Sequence, residues 1–287
     1  MSGWRGELMA GLDFLLGMAG ICFLAVMVAA LPAHSGHFLH LAATKIVQFA
    51  QLDFGASAVS GLPVAQEVSR QLRPTLVLAL VGGGMGLLAS VPVGLLLSRP
   101  RIIRATGPVA ALLTAVPVFC VGILGIWVTF RFFGLTVAGP QSAAPFHDDW
   151  RDARGTVLPA LTVAAAAMAV AQQTIRSTEI ALRQEPFRRS LALMGLGAFE
   201  IDCRYVLPLV VAGVLQNLRE IALATLSGCA IAERLFDRPG AASMMLKSVA
   251  LRDWNVVAML LLCFGALVLL AEFCGRLAAE QLQSEEI

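Results

Sequence analysis

The sequence predicts an all-α protein that crosses a membrane six times. The first observation behind this is a set of six nearly uncharged stretches, at residues 14–44, 74–98, 105–130, 155–175, 205–232 and 254–271. A helix needs about 20 mainly apolar residues to cross a hydrocarbon core, and each stretch meets or approaches that length. The second is composition. Apolar residues make up 58% of the chain, charged residues 14%, and mean hydropathy is +0.79. A soluble domain of 287 residues has no interior large enough to hide so much apolar surface. The third is spacing. No large extramembrane domain fits between the stretches, so residues 1–287 read as a single transmembrane domain.

The loops orient the chain. The net charge is only +2, but Arg5, the trio Arg99, Arg101 and Arg104, and the group Arg176, Arg183, Arg188, Arg189 and Arg204 all fall on alternate connections. Such arginine-rich segments stay on the cytoplasmic side. The remaining loops are mixed in sign: Asp148, Asp149 and Asp152 accompany Arg151 and Arg154, while Glu233, Asp237 and Asp253 accompany Arg234, Arg238 and Arg252. Both termini are therefore expected in the cytoplasm.

The first stretch is far longer than the apolar run of a cleaved signal peptide and reads as a retained helix. An external segment at about 34–73 follows, with turn clusters at Asp53-Phe54-Gly55 and Gly61-Leu62-Pro63, expected as short helices and turns on the outer face. Gly82-Gly83-Gly84-Met85-Gly86 in the second span lacks the strand, helix and lysine of a nucleotide site, so it reads as a close helix–helix contact. Ala164-Ala165-Ala166-Ala167 makes the fourth span a tightly packed helix, and Pro92, Pro117 and Pro208 are candidate kinks.

Between the fourth and fifth spans lies a cytoplasmic segment at about 176–204. Pro186 suits a first helical position and Gly195 an end, leaving two to three turns on which Phe187, Leu191 and Met194 recur as one apolar face. Arg188 and Arg189 project elsewhere, and so short a helix needs packing to stay helical. Local physics leaves two readings open: a helix that docks into a partner, or one lying on anionic headgroups.

The order of motifs is similar to that of the inner-membrane permease subunits of ATP-binding-cassette importers for dipeptides, oligopeptides and nickel, the first of their two permease types. The resemblance runs from about residue 53 to 271. It rests on Asp53-Phe54-Gly55-Ala56-Ser57, Gly61-Leu62-Pro63-Val64, Leu72-Arg73-Pro74-Thr75-Leu76, Val91-Pro92-Val93-Gly94 and Val116-Pro117-Val118-Phe119. Arg176-Ser177-Thr178, Gly195-Leu196, Arg204-Tyr205-Val206-Leu207, Glu233-Arg234-Leu235-Phe236, Pro239-Gly240 and Arg252-Asp253-Trp254 continue it. The resemblance implies that Phe187, Arg188, Arg189, Leu191, Met194 and Gly195 form a coupling helix seated in a groove of an ATPase. It also implies an external closing loop at about 233–253 holding Glu233, Pro239, Gly240, Arg252 and Asp253. The chain departs from the pattern at Leu193-Met194, where basic residues are usual, and at Asn255 and Ala258, where proline and glutamine are favoured.

Arg219 and Glu220 sit near the middle of the fifth span, with Gln216, Asn217 and Thr225 extending the polar content. A central charge costs about 2.5–3.5 kcal/mol on insertion scales, so both residues must face protein or water. They are candidates for a substrate pathway or gate, with Gln172 or Gln173 as possible partners, or for a charge network between two permease chains. His34, His37 and His40 raise a nickel or zinc reading, which Gly36 weakens by interrupting a helix; no metal site is assigned. The six cysteines show no paired spacing and read as packing residues.

Without a phosphate-binding loop or a hydrolase motif, the chain is expected to be no enzyme and to carry no cofactor of its own. The resemblance implies a permease of the bacterial cytoplasmic membrane moving short peptides, with a second permease subunit, two ATP-binding subunits and an external substrate-binding protein as partners. Lipid is its solvent, and nothing suggests nucleic acid. Two alternatives stand beside this: uptake of nickel or a metal chelate, and a membrane scaffold that recruits a cytoplasmic partner without transport.

Overall fold

The computed structural model describes residues 3–31, 38–97, 117–133 and 153–284. They form helices α1 (Gly3–Ala29), α2 (Phe38–Ala50), α3 (Val64–Leu97), α4 (Val118–Phe133), α5 (Ala153–Gln184), α6 (Pro186–Leu193) and α7 (Ala198–Ile201). A π-helical turn (Asp202–Val206) leads into α8 (Leu207–Gln216), followed by α9 (Leu218–Leu235), α10 (Ala241–Ala250) and α11 (Trp254–Ser284). The only strand-like feature among the described residues is one isolated bridge, Ala56 to Pro63.

Among the described residues four helices are long and apolar enough to cross a membrane: Met9–Ala29, Val64–Leu95, Thr156–Leu182 and Trp254–Leu282. The bent pair Ala198–Gln216 and Leu218–Leu235 makes a fifth if counted as one span. The expected third span is represented by the apolar helix Val118–Phe133 of 16 residues; its expected beginning, 105–116, lies outside the described residues. Two boundaries move. The first span ends at Ala29 rather than running to residue 44, because Pro32 disfavours helix in the residue before it, and α2 is a separate helix. The second begins at Val64 and passes through Pro74, so its first three turns belong to what was expected as external loop.

Glycines set the helix spacing. A Cβ on Gly82 would fall 2.8 Å from the Ala160 carbonyl oxygen, and one on Gly86 2.5 Å from that of Ala164. The small-residue faces of α3 and α5 thus meet backbone to backbone, as helices in lipid do when side chains are removed from the seam. α1 and α11 run antiparallel: Gly17 receives Leu269, Gly265 receives Ile21, and the Phe14 and Phe273 rings lie 5.5 Å apart. The apolar cluster that matters for the site contains Ala167, Ala171, Ile175, Ile201, Val206, Val210, Val214 and Ile221, and so joins α5 to the π-turn, α8 and α9.

Candidate functional site

The expected docking helix is α6. Glu185 precedes it in extended conformation and Pro186 opens it, where a missing N–H leaves no bond unmade. It closes at Gly195, whose φ of +89° lies in the left-handed region that glycine enters freely. There the Leu196 N–H bonds to the Leu191 carbonyl at 3.3 Å and the Gly195 N–H to that of Ala192 at 3.1 Å. This double-bonded ending brings the side chains flanking it together, here Leu191 and Leu196, and both pack on the apolar cluster of the transmembrane body.

That geometry corrects the expected face. Leu191 points into the permease, Phe187 is half-buried, and Met194 falls one residue beyond the helix, where the reversal turns it outward. The exposed apolar lip is instead Leu193 (82% exposed), Met194 (78%) and Phe199 (73%), with Arg189 and Gly195 also exposed. Arg188 turns inward as well: its Nη2 donates to Asp202 Oδ1, and its Nη1 lies 3.8 Å from Glu179 Oε2.

The fifth span is broken. α8 and α9 meet at 61° around Asn217, not at Pro208, which sits in the first turn of α8. Pro92 lies inside the continuous α3, and Pro117 precedes α4. The Asn217 Nδ2 donates to Thr174 Oγ1 of α5 at 2.7 Å. On the other side, Gly275 of α11 lies so close that a Cβ there would come within 2.2 Å of the Leu215 carbonyl oxygen. The break is thus pinned from both sides.

Arg219 and Glu220 follow directly, in the first turn of α9. The partner of Arg219 is Glu272 of α11, 3.6 Å away, rather than the expected glutamines of α5; Gln172 instead donates to the Ser90 carbonyl at 2.7 Å. α9 packs against both α5 and α11, and Arg219 lies on the side that meets α11. Arg276 completes a chain of alternating charge, donating to Glu272 at 2.5 Å and to Asp13 of α1 at 2.6 Å. Arg219 remains 56% exposed on its side chain, and Gln216 and Glu220 are exposed.

At the opposite end, two carboxylates organise what was expected as a closing loop. Glu233 is not in a loop: it belongs to the last turn of α9, 2% exposed, because that helix continues to Leu235. Its Oε1 accepts the Thr75 hydroxyl at 2.6 Å and its Oε2 the Ser243 N–H at 2.7 Å, while Thr75 accepts the Ala241 N–H. Two otherwise unpaired N–H groups at the start of α10 are thereby satisfied. Asp253 accepts the Ser57 hydroxyl at 2.5 Å, tying the 53–63 segment to the start of α11. Asn255, at a position where the resembling family favours proline, links Lys45 Nζ (3.0 Å) to the Ala56 carbonyl (3.0 Å). Gly240 is buried beneath Glu233, whereas Pro239 and Arg252 are exposed.

His34 and His37, with Arg99, Arg101, Arg104 and the acidic run at 148–152, lie outside the described residues. Among the described residues no group of three His, Cys, Asp or Glu is placed to hold a metal. Sequence reasoning missed Glu179, Asp202, Thr75, Ser57 and Thr174. Thr75, Ser57 and Thr174 depend on partners 158, 196 and 43 positions away, whereas the acidic pair flanking Arg188 left a local signal.

A bundle of apolar helices with a broken span and a short capped helix standing off one end is the architecture of a transport permease. A family described as "binding-protein-dependent transport system inner membrane component" matches residues 82–283, and the chain belongs to it. It is 25% identical over 244 residues to the putrescine export system permease protein SapB of Escherichia coli K12, covering 76% of each chain. It is 26% identical over 218 residues to the glutathione transport system permease protein GsiC of the same strain, covering 75% of this chain and 68% of the relative. A probable peptide ABC transporter permease protein, y4tP of Sinorhizobium fredii, is 24% identical over 230 residues, covering 79% and 73%. The chain is therefore a multi-pass inner-membrane transport subunit.

Proposed function

We propose that this chain is one permease subunit of an ATP-driven importer that carries short peptides by alternating access. It works with a second permease chain, two cytoplasmic ATPase subunits and an external binding protein. ATP is bound and hydrolysed on the ATPase subunits, and this chain holds no cofactor. Both termini and α6 lie in the cytoplasm, and the Glu233 and Asp253 nodes face outward. The observation that carries the reading is α6 itself: a capped helix anchored by Leu191 and Leu196, with Leu193, Met194 and Phe199 left uncovered as an apolar lip. A lip of that size, running from the end of a two-turn helix into α7, suits a groove in a partner better than water. Closure of the ATPase pair would then displace α6 and reorient the spans.

Peptide cargo is supported by the names of relatives: glutathione is itself a tripeptide, and y4tP is named for peptides. Co-purification with the neighbouring subunits, followed by ATP hydrolysis assays in proteoliposomes, tests the proposal. The binding protein loaded with peptide is expected to stimulate hydrolysis, with nickel chelates and putrescine as competing cargoes. Stimulation by a competitor alone would refute the peptide assignment, and no stimulation by any cargo would favour a scaffold.

A further inference from the structure

Arg188 belongs, by sequence, with the residues that touch an ATPase, yet the structure turns it away from the exposed lip. Its side chain is 25% exposed and reaches two acids on different elements. Asp202 opens the π-turn that feeds α8 and the broken span, and receives the Nη2 hydrogen bond. Glu179, 3% exposed, lies near the cytoplasmic end of α5 and faces Nη1. A carboxylate so deeply buried is stabilised only by a partner of opposite charge or by hydrogen bonds. A guanidinium is the side chain whose planar fork addresses two acids at once; a lysine ammonium is a single point charge.

We infer that Arg188 is a positioning residue that clasps the coupling helix to α5 through Glu179 and to the π-turn through Asp202, so that displacement of α6 is delivered to the Asn217 break. This rests on the transporter reading above and adds to it the route by which the motion leaves α6. The route is continuous in the structure. α6 is held at Arg188 and at Leu191, the π-turn passes directly into α8, and α8 is followed at once by Asn217, the residue bonded to Thr174. The apolar contacts are non-directional; the Nη2 hydrogen bond to Asp202 fixes direction, and the ion pair of Nη1 with Glu179 at 3.8 Å, beyond hydrogen-bond reach, adds a longer-range attraction.

The test uses the full transporter in lipid nanodiscs, with this chain's cysteines replaced by alanine and paired spin labels read by double electron–electron resonance. One pair, at Ser190 and Leu251, reports movement of α6 against the far end of the bundle. A second, at Glu220 and Leu251, reports the broken span. All three positions are exposed. In the parent both pairs should shift on adding ATP with vanadate. In Arg188→Gln the 190 pair should still shift, while the shift of the 220 pair should fall by about fivefold or more, the lower end of typical coupling between sites. Arg188→Gln with Glu179→Gln, which also removes the charge of the buried carboxylate, should behave the same way, and Arg188→Lys should restore only part of the 220 shift.

If the 220 pair moves normally in both glutamine variants, the clasp is refuted while the coupling role of α6 stands. If the 190 pair also stops moving in both, Arg188 belongs to the docking surface and the inference is wrong. If neither pair moves in the parent, the transporter reading fails first.

Discussion

Replacing Gly240 by alanine should loosen the end of the bundle where α9 meets α10 through one carboxylate. The backbone tolerates the change, because the φ of −176° at Gly240 is extended and open to any residue. Space does not: the new Cβ would stand 2.1 Å from Glu233 Cδ and 2.2 and 2.4 Å from its oxygens. Glu233 must swing away, leaving the Ser243 N–H and the Thr75 hydroxyl without the bonds they make at 2.7 and 2.6 Å. A buried polar group left without its partner costs about 1–3 kcal/mol, so the two together amount to about 2–6 kcal/mol. For a large domain this lowers Tm by about 4 °C or more.

Thermal unfolding of the purified permease in detergent, followed by intrinsic fluorescence, measures the shift. Gly84→Ala, with nothing within 4 Å of the added methyl, serves as the control and should not lower Tm. Glu233→Ala should be destabilising alone, and adding Gly240→Ala to it should cost no more, since the clashing carboxylate is gone; that non-additivity identifies the contact. A wild-type Tm for Gly240→Ala, or full additivity in the double variant, would refute the reasoning.

Other outcomes follow from the same geometry. Leu193→Asp with Met194→Asp should weaken capture of the ATPase subunit by about 2 kcal/mol or more in a binding titration, as a hot spot does, without lowering Tm. Leu191→Ala should do the reverse, lowering Tm and sparing capture, because that side chain packs on the transmembrane cluster. Leu52→Gly should stabilise by about 1 kcal/mol in the same thermal assay, since Leu52 holds φ of 59°, where a Cβ is strained, and is largely exposed. On a cysteine-free background, Asp237→Cys should react with a membrane-impermeant reagent in intact spheroplasts and Arg189→Cys only after permeabilisation; the opposite pattern would invert the topology.

The extent to which the site was readable follows from the range of each interaction. Pro186 and Gly195 announce a helix start and stop within ten residues, so α6 appears where the sequence places it. Periodicity, however, assumes that the helix continues. The i, i+4, i+7 face of Phe187, Leu191 and Met194 dissolved because the helix stops at Leu193 and the left-handed Gly195 reverses the chain. Arg188 was grouped with a docking surface by its neighbours in sequence, although its partners are Glu179 and Asp202 on separate elements. The charges at Arg219 and Glu220 were visible as an anomaly in an apolar run, but nothing local pointed to Glu272, which lies 53 positions further on in α11.

By itself the sequence determined that this protein lives in a bilayer, roughly where its apolar helices run, where small residues allow close helix contact, and where a short helix opens at Pro186 and closes at Gly195. These are matters of solvent transfer and local backbone preference, both written in runs of ten to 20 residues. Tertiary structure alone decided that the fifth span breaks at Asn217 rather than Pro208, that Glu233 ends a helix instead of lying in a loop, and that Arg188 and Leu191 face the bundle. The reason is common to all three: a buried polar or apolar group settles wherever its partner is, and these partners sit on other helices.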